Sequence, residues 1–592
     1  MSSKLFLAST PCLDFWDKSA KNYLLLGDWC LSKKSKEFLK GKNYKVLDSP
    51  WTDEFITMSG KYCFDLIKFW LPHLSRILNH EHKIDKSTKY WKILLSAWLM
   101  EYIQVIYVKY SLIKKTKEAF GPLYTTLLNK ESFLRVKDHT NHAFLVRNEV
   151  YHLQLFTIVA EGLGLEGFEA DYRKAKENYF NDLINRKKNS LTQLYKNTLQ
   201  RLTDFFLKNE VLVQLDFSFQ QNLLYSISSK YNFFLGTFLS YNTSDFIARD
   251  KFNRNCFKQL PARNQFEEIL RNSLIWGFPD SYGECFNGIR KFVETCFPNT
   301  RLLIASQPNI PDSMNFLGAT VIEKGGRLAV FQHGGGYGHY ELYGYPQEMV
   351  ERFKANIFLS WGWEDPANEN FCKVEPIAEP RFTLLHSTHK RKNDDLIFVG
   401  AYPVSYPFRL SHIFLKTMKY FGVEKKILSL ISPQYFKHLV YKKDICEDGD
   451  PKEMLQSFSD LKMTNKNLVS LMKDCRMVIM DFLATAFIEA LVLNTPTVLL
   501  LHDNLFVIRS GARPFFDSLT EVRIVHKTPE SAAEFINQAL NENKLEEWWN
   551  QPKTQKARNE FVQHYGFNSS AAIENWKKLI SRELRVASNT ID

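Results

Sequence analysis

The cysteines of this chain point to neither cross-links nor a metal site. There are nine, at positions 12, 30, 63, 256, 285, 296, 372, 446 and 475. No two form a CxxC pair and the number is odd, so a disulfide framework and a zinc site are both disfavoured and a reducing compartment is expected. Long apolar runs are missing too. The longest, Ile93 to Val108, is broken by Glu101 and Gln104 and flanked by Lys92 and Lys109. It is too short and too polar to span a bilayer, and a buried helix is predicted instead. The N-terminal MSSKLFLASTPCLDFW has too short an apolar run for a signal peptide. A cytoplasmic protein is expected, with peripheral attachment to the inner membrane as a further possibility. Also absent are internal repeats, low-complexity tracts, a Walker sequence and a GxGxxG fingerprint. Charge of one sign is nowhere concentrated: 77 Lys plus Arg against 65 Asp plus Glu give +12, spread in short clusters such as Lys33-Lys34-Ser35-Lys36 and Lys187-Lys188. That pattern suits a solvated surface, anionic substrates or an anionic membrane face, and argues against nucleic acid.

What is present is a large folded chain. With 592 residues, 45 % hydrophobic and 14 % aromatic, two or more domains are expected. Strands are predicted at Lys4 to Ser9, Asn22 to Asp28 and Tyr44 to Leu47. Residues 52–120 read as helical and 165–235 as mostly helical and polar, with charge around Arg186 to Asn189. From about residue 300, short apolar runs alternate with helix-length segments, at 301–305, 328–331, 356–360, 395–400, 477–480, 497–501 and 522–525. This is the signature of a parallel sheet with helices on both faces. The polar segment His386 to Asn393 marks a boundary, giving domains 1–388 and 389–592. A terminal helical segment, Ala557 to Leu584, is expected to return to the junction.

Two stretches carry candidate chemistry. The run Leu328 to Phe331 stops at Gln332-His333-Gly334-Gly335-Gly336-Tyr337-Gly338-His339. Three glycines at a strand end mark close approach of a ligand or of another backbone, and the carboxyl ends of strands are where open α/β sheets bind ligands. In the second stretch, Met477 to Met480 leads through Asp481 to Ala484-Thr485-Ala486 and a helix bearing Glu489. The free N–H groups at Thr485 and Ala486 suit a phosphate. Glu489, at i+4, suits ribose hydroxyls.

Together with FWDKS (15–19), LLGDWCL (25–31), YWKILLSAWL (90–99) and SWGW (360–363), these stretches resemble a bacterial family of surface-polysaccharide (O-antigen) transferases. That family is related to CDP-glycerol glycerophosphotransferases and to Kdo and polysialic-acid transferases. The resemblance implies a GT-B-like α/β fold of two Rossmann-like domains facing a cleft, the N-terminal one enlarged by helices. It implies transfer of a sugar or polyol-phosphate from a CMP- or CDP-linked donor to a glycan or lipid-linked glycan, with no metal required. His333 becomes the candidate general acid or base. Of the carboxylates following the glycine loop, Glu341 is assigned a catalytic role, with Glu348 and Glu351 as further candidates. Gly334, Gly335, Thr485, Ala486 and Glu489 are expected to bind the donor, and Asp28, Trp29 and Trp363 to lie on the acceptor side. Ala484 and Asn356 depart from the family's hydroxyl and carboxylate, and no His-Pro dipeptide occurs. A non-catalytic binding protein or a sugar-nucleotide epimerase on the same scaffold is the alternative. Asn79-His80-His82, a loose metal cluster at best, His339 and the acidic turn Glu447-Asp448-Gly449-Asp450 are read as ordinary structural residues, whereas Trp361, like Trp363, suits either stacking on a sugar or base or core packing.

Overall fold

The computed structural model describes residues 5–120, 123–164, 168–176, 208–215, 219–229, 231–233, 246, 251–306, 312–400, 406–442, 458, 461–503 and 505–588. Lys187-Lys188, the segment Arg186 to Asn189, and Glu447-Asp448-Gly449-Asp450 lie outside them.

Three sheets follow one another along the chain, and among the described residues their strands pair in parallel. The first holds β1 (Leu5–Ala8), β2 (Asn22–Leu25), β3 (Asn43–Val46), β4 (Leu123–Leu128) and β5 (Phe168–Arg173), in the order β3-β2-β1-β4-β5. The second holds β6 (Lys208–Gln214), β7 (Tyr231–Phe233), β8 (Leu302–Ser306), β9 (Arg327–Phe331), β10 (Ile357–Ser360) and β11 (Val374–Pro376), in the order β11-β10-β9-β8-β6-β7. The third holds β12 (Leu396–Val399), β13 (Leu439–Lys442), β14 (Lys462–Thr464), β15 (Met477–Met480), β16 (Thr497–Leu500) and β17 (Val525–His526), in the order β14-β13-β12-β15-β16-β17. The inner strands are apolar because both faces are covered: β8, β15 and β16 are buried at every residue, as parallel sheets require.

The expected α/β architecture of Rossmann-like sheets is therefore present, with one addition. The N-terminal part is enlarged by helices and also by a parallel sheet of its own. Three described segments expected to be mainly helical, β5, β6 and β7, are strands, and β6 pairs with β8 inside the second sheet. Its sequence KNEVLVQ offers only three consecutive apolar residues in a polar setting, so periodicity does not reveal it. The long helix Thr88–Ala119 lies between the first two sheets. Its N-cap is Ser87, whose hydroxyl accepts from Tyr90 N–H at 3.1 Å. Residues Ile93 to Val108 within it are nearly all buried, as predicted. Among the described residues no helix is long and apolar enough to cross a membrane.

The expected terminal segment is two helices, Pro552–Tyr565 and Ala572–Ser588. The second crosses back to the second sheet, where Trp576 sits edge-on to Phe331 at 5.3 Å and donates to the Ala378 carbonyl at 3.1 Å.

Candidate active site

The loop after β9 is anchored by one buried amide. Gln332 Oε1 accepts from Trp361 N–H at 3.0 Å and from the Trp363 indole at 2.8 Å, while its Nε2 donates to the Gly334 carbonyl at 2.8 Å. This fixes the position of His333, which is half-buried. Tyr337 Oη lies 3.0 Å from His333 Nδ1 and donates to Glu351 Oε2 at 2.9 Å. With the phenol proton directed to the carboxylate, Nδ1 carries the imidazole proton and Nε2 is an acceptor, facing Gln347 Nε2 at 2.9 Å. Burial, and secondly the Arg409 charge, lower the imidazole to about 4, so it is neutral near pH 7. Burial raises the fully enclosed Glu351 carboxyl to about 8. The ring is thus a neutral, oriented acceptor at Nε2, backed by a phenol and a carboxyl.

Glu351 and Glu348 are not solvated helix charges. Both are completely buried, and Glu348 is a structural clamp: it accepts from Gly338 N–H at 2.9 Å and pairs with Arg509 at 2.8 Å and Arg352 at 3.3 Å. Glu341 has another task. Its carboxylate caps the short turn Leu342–Gly344, accepting from Gly344 N–H at 3.0 Å, and lies 3.5 Å from the Thr57 hydroxyl. The carboxylate that reaches the His333 group is Glu351. His339 is buried among Phe516, Phe561 and Tyr565 and lies 2.7 Å from the Gly335 carbonyl, a packing role.

The second and third sheets meet here. Beyond β15 the chain turns through Asp481 to the helix Thr485–Leu493, whose N-cap, Ala484, supplies no side-chain hydrogen bond. Gly335 N–H donates to Thr485 Oγ1 at 3.0 Å, and Tyr340 Oη donates to the Leu483 carbonyl at 2.6 Å. Arg509 Nε donates to the Tyr340 carbonyl at 2.8 Å. The two walls therefore touch at Gly335 and Thr485, where a gap was expected. A Cβ on Gly335 would come within 2.5 Å of the Ala484–Thr485 backbone, whereas one on Gly334 would meet nothing closer than 3.6 Å. Gly335 is thus explained by a neighbouring backbone, and Gly334 is the position with room for a ligand. Ala486 is half-buried at the first turn of the uncapped helix. Glu489 is buried and pairs with Arg381 at 3.1 Å, so its carboxylate already has a cationic partner.

The acceptor-side residues divide. Trp363, 3 % exposed, is packed under Gly338, whose φ of +75° admits no ordinary side chain, and is core rather than a stacking surface; Trp361 is buried likewise. Asp28 and Trp29 lie at the carboxyl end of β2 in the first sheet, with Asp28 exposed and Trp29 half-buried. Asn356 is at the opposite end of the second sheet, where its side-chain oxygen accepts from Leu328 N–H at 2.8 Å; an amide oxygen suffices there. Asn79 accepts from the Trp91 indole at 2.8 Å, and His82 is stacked on Phe286 at 4.3 Å. Among the described residues no group of three or more His, Cys, Asp or Glu is placed to hold a metal ion. Tyr337, Gln347 and Arg409 escaped sequence reasoning. Arg409 could not have been found locally, because it lies some 75 residues after the loop in sequence and reaches the site by tertiary packing.

Paired parallel sheets joined at the carboxyl ends of their strands, with a histidine loop on one side and an open helix N-terminus on the other, define an α/β protein of the two-sheet ligand-binding kind. The chain belongs to the LIC12162 family of transferases, whose family profile matches residues 5–580. No curated protein matches it significantly. Among solved structures, it is similar to the spinosyn forosaminyltransferase SpnP, at 10 % identity over 52 % of this chain and 80 % of that one, with a TM-score of 0.29. It is likewise similar to the glycosyltransferase SnogD from Streptomyces nogalater, at 10 % identity over 63 % and 99 %, with a TM-score of 0.32. A Listeria monocytogenes protein assigned as a UDP-N-acetylglucosamine 2-epimerase gives 10 % identity over 60 % and 95 %, with a TM-score of 0.31. Likenesses this distant say nothing about donor or acceptor.

Proposed function

We propose that the protein is a glycosyltransferase-type enzyme that moves a sugar, or a polyol-phosphate, from a CMP- or CDP-linked donor to a bacterial surface-polysaccharide acceptor, free or lipid-linked. The observation that carries this reading is the Gly335–Thr485 hydrogen bond of 3.0 Å, which joins the His333 loop to the uncapped helix N-terminus in one site. In this reading the donor phosphate lies at Gly334 and the N–H groups of Thr485 and Ala486, where the helix dipole favours negative charge. His333 Nε2 takes the proton of the acceptor hydroxyl once that hydroxyl displaces the Gln347 amide, and Tyr337 and Glu351 hold the ring. In this reading Arg409 adds positive charge beside the imidazole and no metal takes part. Glu489 acts indirectly by holding the helix Pro380–Leu385 through Arg381.

Purified protein assayed for donor hydrolysis and transfer against CMP-, CDP-, UDP-, GDP- and TDP-linked donors tests this. His333→Ala should lower turnover by about 10²–10⁴-fold while the fold survives. Full activity in that variant would remove His333 from the mechanism. An epimerised donor with no acceptor consumed would replace the transferase reading.

A further inference from the structure

The helix Thr88–Ala119 carries a second cation inward, away from His333. Lys109 is 1 % exposed, and its ammonium lies 5.3 Å from the centre of the Trp29 ring. Among the described residues it has neither a hydrogen bond nor an ion pair; beside the Trp29 ring it neighbours the thiol of Cys30, which burial keeps protonated, up at about 12. Burial lowers Lys109 to about 8, so it stays charged at neutral pH. A buried ammonium with no counter-charge destabilises a fold, and a methylene-rich apolar side chain would serve packing better.

The surroundings are those of a binding site. Lys109 faces the carboxyl ends of β1 and β2, beside the place where the first sheet reverses its strand order between β1 and β4, the point at which open α/β sheets take ligands. Trp29 is half-exposed and held by its indole, which donates to the Ser9 carbonyl at 3.2 Å. His152, also near Lys109, uses Nε2 on the Val146 carbonyl at 2.6 Å, and its buried Nδ1 has no partner among the described residues. Tyr406 stacks on His152 at 4.2 Å.

We propose that the carboxyl edge of the first sheet is a second ligand site, in which Lys109 binds an anionic group, the carboxylate or phosphate of the acceptor glycan, while Trp29 supports the sugar ring and His152 Nδ1 accepts from a hydroxyl. The acceptor assignment rests on the transferase reading; the anion site does not. The two sites are connected by a common element. Arg409, near His333, pairs with Glu101 at 3.4 Å, and Tyr406 lies three residues before it in the chain. Glu101 and Lys109 are eight residues apart on one helix, about 12 Å along its axis.

Thermal-shift titrations of the full chain with sodium phosphate, with glucuronate and with glucose test the site. A rise in Tm of about 2–4 °C is expected at saturating anion. Phosphate or glucuronate, whichever is the stronger, identifies the charged group, and glucose gives no shift. Lys109→Met should melt above the wild type without ligand, lose the anion response and keep any nucleotide response; Lys109→Gln serves the same purpose if the methionine variant does not fold. His333→Ala should keep the anion response, so failure of the transferase mechanism and failure of this site are separable. No shift with either anion, or an equal shift in the Lys109 variants, would overturn the proposal.

Discussion

His333 is defined by its three neighbours rather than by its place in a glycine loop. Tyr337 and Glu351 fix which nitrogen carries the proton, and Gln347 occupies the other. Tyr337→Phe breaks the link to Glu351 and should remove part of the about 10²–10⁴-fold that an acid–base group supplies. The loss should fall in kcat with KM little changed, and the acid limb of the rate profile should move. A uniform loss with an unmoved profile would make Tyr337 a packing residue. Among the histidines that burial holds below the ordinary value, His333 and His526 lie at about 4 and His339 at about 3. The unfolded chain binds these protons first, so the stability they contribute is complete above about pH 6.5 and is lost as the pH falls towards 4. His339→Phe removes one such proton, and its Tm should fall less steeply than that of the wild type between pH 6.5 and 4. An unchanged slope would mean that His339 titrates normally in the fold.

The decisive contact between elements is the glycine loop against the helix Thr485–Leu493. Gly335→Ala forces a Cβ into the Ala484–Thr485 backbone and should cost about 1–3 kcal/mol, whereas Gly334→Ala should leave denaturant stability close to that of the wild type and weaken nucleotide binding. Equal stability of the two variants would show that the loop relaxes freely. Thr485→Val leaves the Gly335 N–H without its acceptor, so a loss of about 1–3 kcal/mol of stability should accompany any loss of affinity. The helix start, the glycine loop and the strands β8, β9, β10, β12, β15 and β16 were legible in the sequence, because each is a local pattern; β7, β11, β13 and β14 were not among the expected strands. Glu348 and Glu351 were named as candidates, but their burial was not legible, because charges three residues apart on a short helix look solvated until tertiary packing encloses them. β6 was missed for a related reason: its position beside β8 inside a sheet, not its own periodicity, makes it a strand.

For the whole molecule, the chain end completes the second sheet. Trp576, 1 % exposed, covers Phe331, and Arg327 pairs with Glu583 at 2.7 Å. Trp576→Ala should cost about 3–5 kcal/mol in chemical denaturation; a loss below 1 kcal/mol would mean that the terminal helix is an accessory. The first sheet was legible only in part, because β1, β2 and β3 are separated in sequence from β4 and β5 by two long helices. Nucleotide binding at the uncapped helix N-terminus beside Gly334 is the central expectation for the whole molecule. Calorimetric titration of CMP, CDP, UDP, GDP and TDP into the wild type and into Ala486→Glu, which sets a carboxylate at that N-terminus, tests this most directly. The wild type should bind a cytidine nucleotide, and the variant should keep its Tm while binding at least about 100-fold more weakly. Equal binding by both proteins, or no nucleotide bound by the wild type, would contradict it.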